Sequence, residues 1–404
     1  MIKSIRFGTL LLIILLVQGC GSSSSGEPTT ELTTLFEDLA DQVILPNYRD
    51  SQSAVSALAG GSGALQQYCD AIGTVNESAQ LLVAQDAWKS AMGVWQRAEM
   101  HQLGPVVANN ETLQNRILSY KQGNINTCAL DQAVVLSQPG GFDISQKAPN
   151  QKGLGSVGYL LFNTDLTHTC PGTIAETADW NVRTEQQRKD WRCDHALIVA
   201  TDIQGAVNDV VSQWEIDGGN YRGVFINNLN NQASFKGVSD GLFYMDVSTK
   251  DKKLGITLGI SASCSDPSCP DEIESRFSET SLANIKANIE SFKEILVGNG
   301  GLGLESLISD AQVPEVTERL LQYSNDALAE IDGMNVSLYD QAVEIDTDNE
   351  ATECTNAYNS PDTASNFPAC NLYGHIKRIS DELKTGFVAA TNSSIPESSQ
   401  SDND

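Results

Sequence analysis

Apolar side chains recur every three or four positions along most of the 404-residue chain, which is the spacing of amphipathic α-helices. The run 78–103 is the clearest, because it lacks proline, has a single glycine and ends at Gly104-Pro105, a helix stop signal. The first run should end at Pro46. The periodic runs predict helices at 31–47, 54–72, 78–103, 109–122, 185–214, 281–296, 313–331 and 372–389.

Few segments favour strands. Residues 253–260 carry the best strand signal, although an extended connector fits them equally well. The apolar segment 157–162 is compatible with a helix or a strand. The segment 346–369 is rich in Asn, Thr, Ser and Pro and is predicted to be a loop.

The expected fold is therefore all-α. A chain of this length is longer than one ordinary domain, and we expect two helical bundles, residues 31–225 and 226–392, with the division between 216 and 241 and a functional cleft at their interface. The polar, acidic residues 393–404 are predicted to be a disordered tail.

The N-terminal residues are typical of an export signal. Lys3 and Arg6 precede an apolar run that is too short to span a bilayer, and the run leads into Val17-Gln18-Gly19-Cys20. This pattern indicates a lipoprotein signal peptide, residues 1–19, with Cys20 as the lipidated residue and 20–30 as a flexible tether. The alternative is an ordinary secretory signal with an incidental cysteine. Gly21, rather than Asp, favours the outer membrane, with the protein facing the periplasm.

The charge of the chain excludes some partners. Lys and Arg total 25, Asp and Glu total 52, and the net charge is −27. Nucleic acid phosphates and anionic membrane surfaces would repel such a chain, so nucleic acid binding is not expected.

Apart from Cys20, eight cysteines remain, and an even number in an exported chain predicts disulfides. Because no pair has C-x-x-C spacing, a thiolate metal site is disfavoured. Loop length alone does not determine which of the many pairings forms. Pairing of neighbours along the chain predicts Cys69–Cys128, Cys170–Cys193, Cys264–Cys269 and Cys354–Cys370.

The predicted helix 78–103 places a carboxylate in an aromatic stripe. At about 100° per residue, Trp88, Trp95 and Glu99 fall on one side of it. Burying an unpaired carboxylate costs several kcal/mol, so Glu99 should be paired, protonated or bound to a cation. A structural ion pair, a ligand site and an acid–base role all remain open.

Common catalytic motifs are missing from the sequence. The chain has four histidines, and none of them forms an H-E-x-x-H or H-x-x-x-H pair, so a standard zinc-peptidase helix is absent. Neither a G-x-S-x-G elbow nor a phosphate-binding P-loop is present, and the glycines of 153–158 do not have the spacing of a dinucleotide fingerprint.

Several segments, taken in order, resemble the imelysin family. Each is weak alone, but their order and spacing from about residue 31 to residue 300 are specific. The matching segments are Ile44-Leu-Pro46-x-Tyr48, Ala87-Trp88, Trp95-Gln-Arg97-Ala-Glu99, Leu103-Gly104-Pro105, Lys152-Gly153-Leu154, Tyr159-Leu160-Leu161-Phe162, Lys253-Leu254-Gly255-Ile256 and Glu274-Ser275-Arg276-Phe277-Ser278, with Ser281-Leu282 and Asn288.

The resemblance implies two helical bundles with a site near their interface, a link to iron uptake, and a peptidase label. The family's signature G-x-H-x-x-E falls on Gly153, Gly155 and Gly158, so glycines stand in place of the His and the Glu. Neither glycine has a side chain that can bind a metal, which argues against both a metal cofactor and peptidase chemistry there. Two interpretations remain: the site is degenerate, or the glycines open space for another ligand.

The sequence thus favours a lipid-anchored, non-enzymatic binding or accessory protein of the cell envelope, whose partner is an unknown small ligand or envelope protein. Glu99 would orient a polar or cationic group, and Arg276 would neutralise Glu99 or receive an anion. The alternatives are a metallopeptidase, with ligands such as His101 or His195 drawn from elsewhere, and a structural module that docks on a partner. The expected pocket residues are Trp88, Trp95, Glu99, Gly153, Gly155, Gly158, Arg276, Ser278 and Asn288.

Overall fold

The computed structural model describes residues 31–400, and these residues form helices and connecting loops without any strand. The expected all-α class is confirmed. The predicted signal peptide, Cys20 and the whole predicted tether 20–30 lie outside the described residues. None of the helices in residues 31–400 combines the length and the apolar character needed to cross a bilayer.

The first half of the described chain contains ten α-helices. Helix α8 has the predicted bounds. A capping box formed by Thr184 and Gln187 fixes its start. The helices are α1 (Leu32–Asp38), α2 (Leu45–Ala59), α3 (Ala64–Ala71), α4 (Glu77–Ala98), α5 (Ala108–Ile117), α6 (Thr127–Leu136), α7 (Gly153–Phe162), α8 (Glu185–Trp214), α9 (Tyr221–Phe225) and α10 (Asn231–Leu242).

The second half begins with a long π-helix, Met245–Ile256. After it come α11 (Ser281–Val297), α12 (Glu305–Asp310), α13 (Pro314–Gly333), α14 (Leu338–Glu344), α15 (Asp348–Asn359) and α16 (Pro368–Glu382), a π-helical turn Leu383–Phe387, then α17 (Val388–Thr391) and α18 (Glu397–Gln400).

Pro46 does not end the first helix, contrary to the prediction. A π-helical turn, Leu39–Ile44, joins α1 to α2 directly before the proline. The wider π-helical turn accommodates a residue that lacks an N–H, so the helical path continues through it.

The segment expected to be a strand or an extended connector has neither structure: residues 253–256 end the π-helix, and residues 257–259 form a turn. Ile256 and Thr257 favour a strand locally, but the π-helix buries Lys253 with its Nζ 3.1 Å from Glu274 Oε2. The prediction for 253–260 was therefore wrong.

Two further segments are more ordered than expected. The predicted loop 346–369 contains α15, which begins at a capping box formed by Thr347 and Glu350. The predicted tail contains α18, in which Ser399 is buried, and Pro396 and Ser398 lie beside Tyr244. Residues 401–404 lie outside the described part.

Four disulfides join the eight cysteines of the described chain. The Cys264–Cys269 and Cys354–Cys370 pairs are as predicted. The other two predicted pairs were wrong: Cys69 pairs with Cys193, and Cys128 pairs with Cys170. Helices α3 and α8 pack side by side, so Cys69 meets a residue 124 positions away rather than its neighbour along the chain.

The core is organised around α4, which packs against α2, α3, α7 and α11. Buried apolar residues from both predicted domains belong to one contiguous cluster, which includes Trp88, Trp214, Phe292 and Leu372. The division into two domains remains a prediction. Helix α4 contacts both α7 and α11, and these contacts position the site described below.

Candidate functional site

A cavity of about 260 Å³ opens where four parts of the chain meet. Trp88 of α4 and the first turns of α7 form one side, and the segments 118–127 and 271–278 form the other. Five of the predicted pocket residues line it: Trp88, Gly155, Gly158, Arg276 and Ser278.

The contact between Trp88 and α7 explains one of the three motif glycines, Gly158. The buried indole donates from Nε1 to the carbonyl oxygen of Leu154 over 2.9 Å. A Cβ at position 158 would lie 2.6 Å from Cζ2 of the same ring. Because the ring is held by its hydrogen bond and its packing, only glycine fits beside it.

The other two glycines have different surroundings. A Cβ at position 155 would lie 3.0 Å from the Ile125 Cγ2 methyl across the cavity wall. Gly153 has φ = +81°, and a Cβ there would lie 2.8 Å from the carbonyl oxygen of Ile117. Gly153 therefore allows the tight entry into α7, and it does not line the cavity.

The residues at this place do not fit a metal cofactor. The side chains beside Gly155 and Gly158 are an isoleucine and a tryptophan, neither of which is a metal ligand. Across residues 31–400, no three His, Cys, Asp or Glu side chains are arranged to hold a metal ion.

The two histidines considered as replacement ligands lie elsewhere. His101 is buried with Nε2 3.0 Å from Asn47 Nδ2, and burial lowers its pKa to about 3. His195 is buried with Nδ1 3.3 Å from Ser137 Oγ, and burial lowers its pKa to about 4. Both rings are therefore neutral at pH 7, and neither lines the cavity.

Arg276 does not neutralise Glu99, contrary to expectation. Its guanidinium forms an ion pair with Asp271 and lies over the Phe277 ring, 4.7 Å from the centroid. Ser278 Oγ donates to the carbonyl oxygen of Ser275 over 3.0 Å. These contacts stabilise the rim of the cavity.

Three predicted residues belong to the core behind the cavity. Trp95 is fully buried against Tyr48, with ring centroids 6.5 Å apart. Asn288 is buried and donates from Nδ2 to the carbonyl oxygen of Gln96 over 2.7 Å. Glu99 accepts a 2.7 Å hydrogen bond from the Tyr244 hydroxyl. None of the three lines the cavity.

Glu99 and Glu274 share one buried cation. Lys253 Nζ lies 3.8 Å from Glu99 Oε2 and 3.1 Å from Glu274 Oε2, and all three side chains are almost fully buried. Burial raises the pKa of Glu99 to about 7, although Lys253 opposes the increase. We call Gln96, Glu99, Tyr244, Lys253, Glu274, Asn284 and Asn288 the buried polar network.

Glu274 links this network to the cavity. Its carboxylate accepts hydrogen bonds from Gln96 Nε2 at 2.9 Å and Asn284 Nδ2 at 2.8 Å, and it also lines the cavity. Its charge is balanced by Lys253, so the carboxylate forms a fixed part of the wall.

Sequence reasoning missed the segment 118–127. Tyr120 donates to the carbonyl oxygen of Glu272 over 2.9 Å, and Asn124 Nδ2 donates to that of Asp271 over 2.8 Å, which joins this wall to 271–278. Ser119 is buried and also lines the cavity. No periodicity marks this segment.

Comparison with known proteins agrees with the fold. A solved imelysin-like protein from Psychrobacter arcticum 273-4 superposes with a TM-score of 0.63 at 14% identity, covering 90% of this chain and 96% of that one. A protein from Parabacteroides distasonis ATCC 8503, described as an iron-regulated protein A precursor, superposes with a TM-score of 0.58 at 15% identity, covering 89% and 97%. No curated protein matches significantly.

The family model gives the assignment. The imelysin model, which carries a peptidase label, matches residues 44–363. This range contains the whole cavity, both of its motif glycines and the buried polar network. The chain belongs to the imelysin family.

Proposed function

We propose that this protein is a lipid-anchored, non-enzymatic binding protein of the cell envelope, and that its ligand occupies the cavity beside α7. The observation that carries the proposal is that an open cavity borders Gly155 and Gly158. Trp88 and Ile125 pack against the two glycines, and the space that remains beside them is large enough for a small molecule.

The lining favours a small, uncharged ligand with an apolar or aromatic body. Trp88, Ile125 and Phe277 provide apolar contact. The acidic groups that border the space, Asp271 and Glu274, are each in an ion pair. A charged ligand would leave its own charge without a partner there. The Ser119 hydroxyl is the group we assign to a polar atom of the ligand.

The same lining supports a non-enzymatic role. Peptide hydrolysis needs an activated water or nucleophile and a general base. Glu274 is poorly placed to act as that base, because Lys253, Gln96 and Asn284 bind its carboxylate. The Asp271 side chain is 86% exposed to solvent and paired with Arg276. Positions 155 and 158, which would supply the family's His and Glu, have no side chains.

The name of the Parabacteroides protein and the family resemblance support a role connected with iron supply. In our proposal the protein acts as an accessory component at the outer membrane, facing the periplasm, and it does not itself hold the metal. Attachment at Cys20 predicts that Cys20→Ser abolishes incorporation of labelled fatty acid and releases the protein from the membrane fraction.

Binding can be tested with a set of neutral aromatic fragments, using ligand-observed NMR and tryptophan fluorescence. Gly155→Leu should fill the cavity and abolish binding, and Ser119→Ala should weaken it. Gly93→Leu, a substitution on α4 where the glycine contacts nothing within 4 Å, is the matched control and should bind normally.

Two results would contradict the proposal. Unchanged fragment binding by Gly155→Leu would exclude the cavity as the site. Stoichiometric iron or zinc in the purified protein, together with chelator-sensitive cleavage of casein, would establish the metallopeptidase alternative.

A further inference from the structure

Three exposed apolar side chains follow the C-terminal end of α8 in the sequence. Leu229 is 88% exposed, Ile216 is 64% exposed and Val224 is 49% exposed. Exposed apolar groups are ordinary when they are scattered singly, but these three lie within fourteen residues of sequence. We call residues 216–229 the apolar loop.

Hydrogen bonds fold the apolar loop back on itself. The Asn220 N–H donates to the carbonyl oxygen of Glu215 over 2.9 Å, and Asn230 Nδ2 donates to that of Val224 over 3.0 Å. The loop is thus a compact surface feature, and its apolar tips are displayed from a fixed backbone.

The apolar loop is joined to the beginning of the described chain. The Phe36 ring of α1 lies 5.3 Å from the Phe225 ring, and Arg222 makes two 2.6 Å hydrogen bonds to the carboxylate of Asp41. Leu32, where α1 begins, is one helical turn from Phe36, or about 6 Å along the axis. The chain therefore leaves the fold toward Cys20 close to this loop.

The length of the tether limits how far the loop can be from the lipid. Cys20 and Leu32 are twelve residues apart. This stretch spans at most about 40 Å when fully extended, and about 20 Å as a relaxed flexible chain.

The other end of α8 is much farther from the anchor. Helix α8 has 30 residues, so its ends are about 45 Å apart. The exposed residues Val182 and Val75 lie near its N-terminal end, where a Cβ on Gly73 would come within 2.6 Å of Gln186. Val182 and Val75 are therefore exposed apolar residues that the anchor does not hold close to the bilayer, and they can serve as controls.

The charges around the apolar loop are compatible with a zwitterionic surface. Arg49 pairs with Glu215 at 2.8 Å, and Arg222 pairs with Asp41. In a chain of net charge −27, this pairing leaves the exposed Asp217 as the acidic residue of the apolar loop, and a zwitterionic bilayer repels that charge less than an anionic surface would.

We propose that the apolar loop is a membrane-docking surface that inserts Leu229, Ile216 and Val224 into the headgroup region of the phospholipid bilayer to which Cys20 is anchored. The inference rests on the lipid anchor of the proposed function. A lipid anchor at one residue does not fix the orientation of residues 31–400 relative to the membrane. A second contact of this kind would fix it, and with it the orientation of the cavity.

The test uses the lipidated, full mature protein reconstituted in phosphatidylcholine vesicles that carry a quencher on the acyl chains. Leu229→Trp should be quenched, with at least about a twofold loss of the added fluorescence over wild type. Val182→Trp, an equally exposed site at the far end of α8, should not be quenched. Amide exchange in 216–230 should slow on vesicles relative to detergent, while that in 73–76 should not change.

The outcomes separate the two proposals. Mass spectrometry of the N-terminal peptide first establishes that the protein carries lipid. In that lipidated protein, equal quenching at positions 182 and 229, or no quenching at 229, would overturn the docking surface alone. Absence of lipid on Cys20 would overturn the anchor and, with it, this inference.

Discussion

At the scale of single residues, the site is defined by what glycine allows. Trp88 occupies the space that a side chain at position 158 would need, and its hydrogen bond to Leu154 holds it there. Gly158 and Trp88 are thus a matched pair. Restoring the family's carboxylate at this one position cannot restore a metal site, because the indole stands in its way.

Substituting Gly158→Glu should therefore destabilise the protein by about 2–4 kcal/mol, since the new Cβ overlaps a ring that cannot shift freely. The measurement is urea unfolding followed by circular dichroism. Gly93→Ala on α4 has open space around it and should instead stabilise by about 0.5–1 kcal/mol. If Gly158→Glu were as stable as wild type, the indole would have to be mobile.

Glu99 predicts a pH dependence of stability. Its pKa is about 7 in the fold because of burial, against an ordinary value of 4.5. The folded protein keeps the proton to higher pH than the unfolded chain, so the contribution of Glu99 to stability is present below about pH 4.5 and is lost as pH rises through about 7.

The variant Glu99→Gln retains an oxygen that accepts from Tyr244 and should escape this loss. Relative to wild type, it should gain roughly 1–3 kcal/mol in unfolding free energy between pH 5 and pH 8. Glu318→Gln, at an exposed position, is the control and should track wild type at both pH values. A pH-independent difference for Glu99→Gln would refute the assigned titration.

At the scale of elements, amphipathic periodicity identified most of the long helices, and α8 to the residue, because Thr184 caps it and its apolar face is regular. Periodicity failed for the π-helix. In the segment predicted as a strand, Ile256 and Thr257 favour that structure locally, and burial of Lys253 against the distant Glu274 decides the outcome.

The sequence likewise predicted one part of the site and missed another. Trp88, Gly155 and Gly158 were identified from motif positions, and they do line the cavity. Glu99 and Trp95 share the face of α4 with Trp88, but that face is covered by other helices along most of its length, and only tertiary packing determines which turn borders the opening. The segment 118–127 has no pattern of its own.

The disulfide that joins α3 to α8 should contribute most to stability. It closes a loop of 124 residues, whereas Cys264–Cys269 closes one of 5. Chain-entropy arguments give about 5 kcal/mol for the first and about 2 kcal/mol for the second. Chemical unfolding of the double serine variants, Cys69→Ser/Cys193→Ser and Cys264→Ser/Cys269→Ser, should show that order. The reverse order would mean that α3 and α8 are held by packing alone.

At the scale of the whole molecule, the buried polar network joins parts of the chain assigned to different domains by sequence. Gln96 lies in α4 and Glu99 is its C-cap, Lys253 comes from the π-helix, and Asn284 and Asn288 come from α11. These groups satisfy one another only when both halves are folded. The two halves should therefore unfold together.

Replacing the shared cation tests this. Lys253→Met leaves two buried carboxylates without their partner and should cost about 3–5 kcal/mol, while calorimetry still shows one transition at a lower temperature. Lys236→Met, whose partner Asp240 is on the surface, should cost less than about 1 kcal/mol. Two separate transitions in the Lys253→Met protein would indicate independently folding halves.

The arrangement of the disulfides also bears on how the protein matures. The ring closed by Cys69 and Cys193 encloses the one closed by Cys128 and Cys170. A chain that enters an oxidising compartment from its N-terminus presents Cys69 with two unsuitable thiols before the correct one arrives. Oxidation in order of arrival would pair Cys69 with Cys128, and thiol–disulfide exchange would then be needed to reach the two nested bonds.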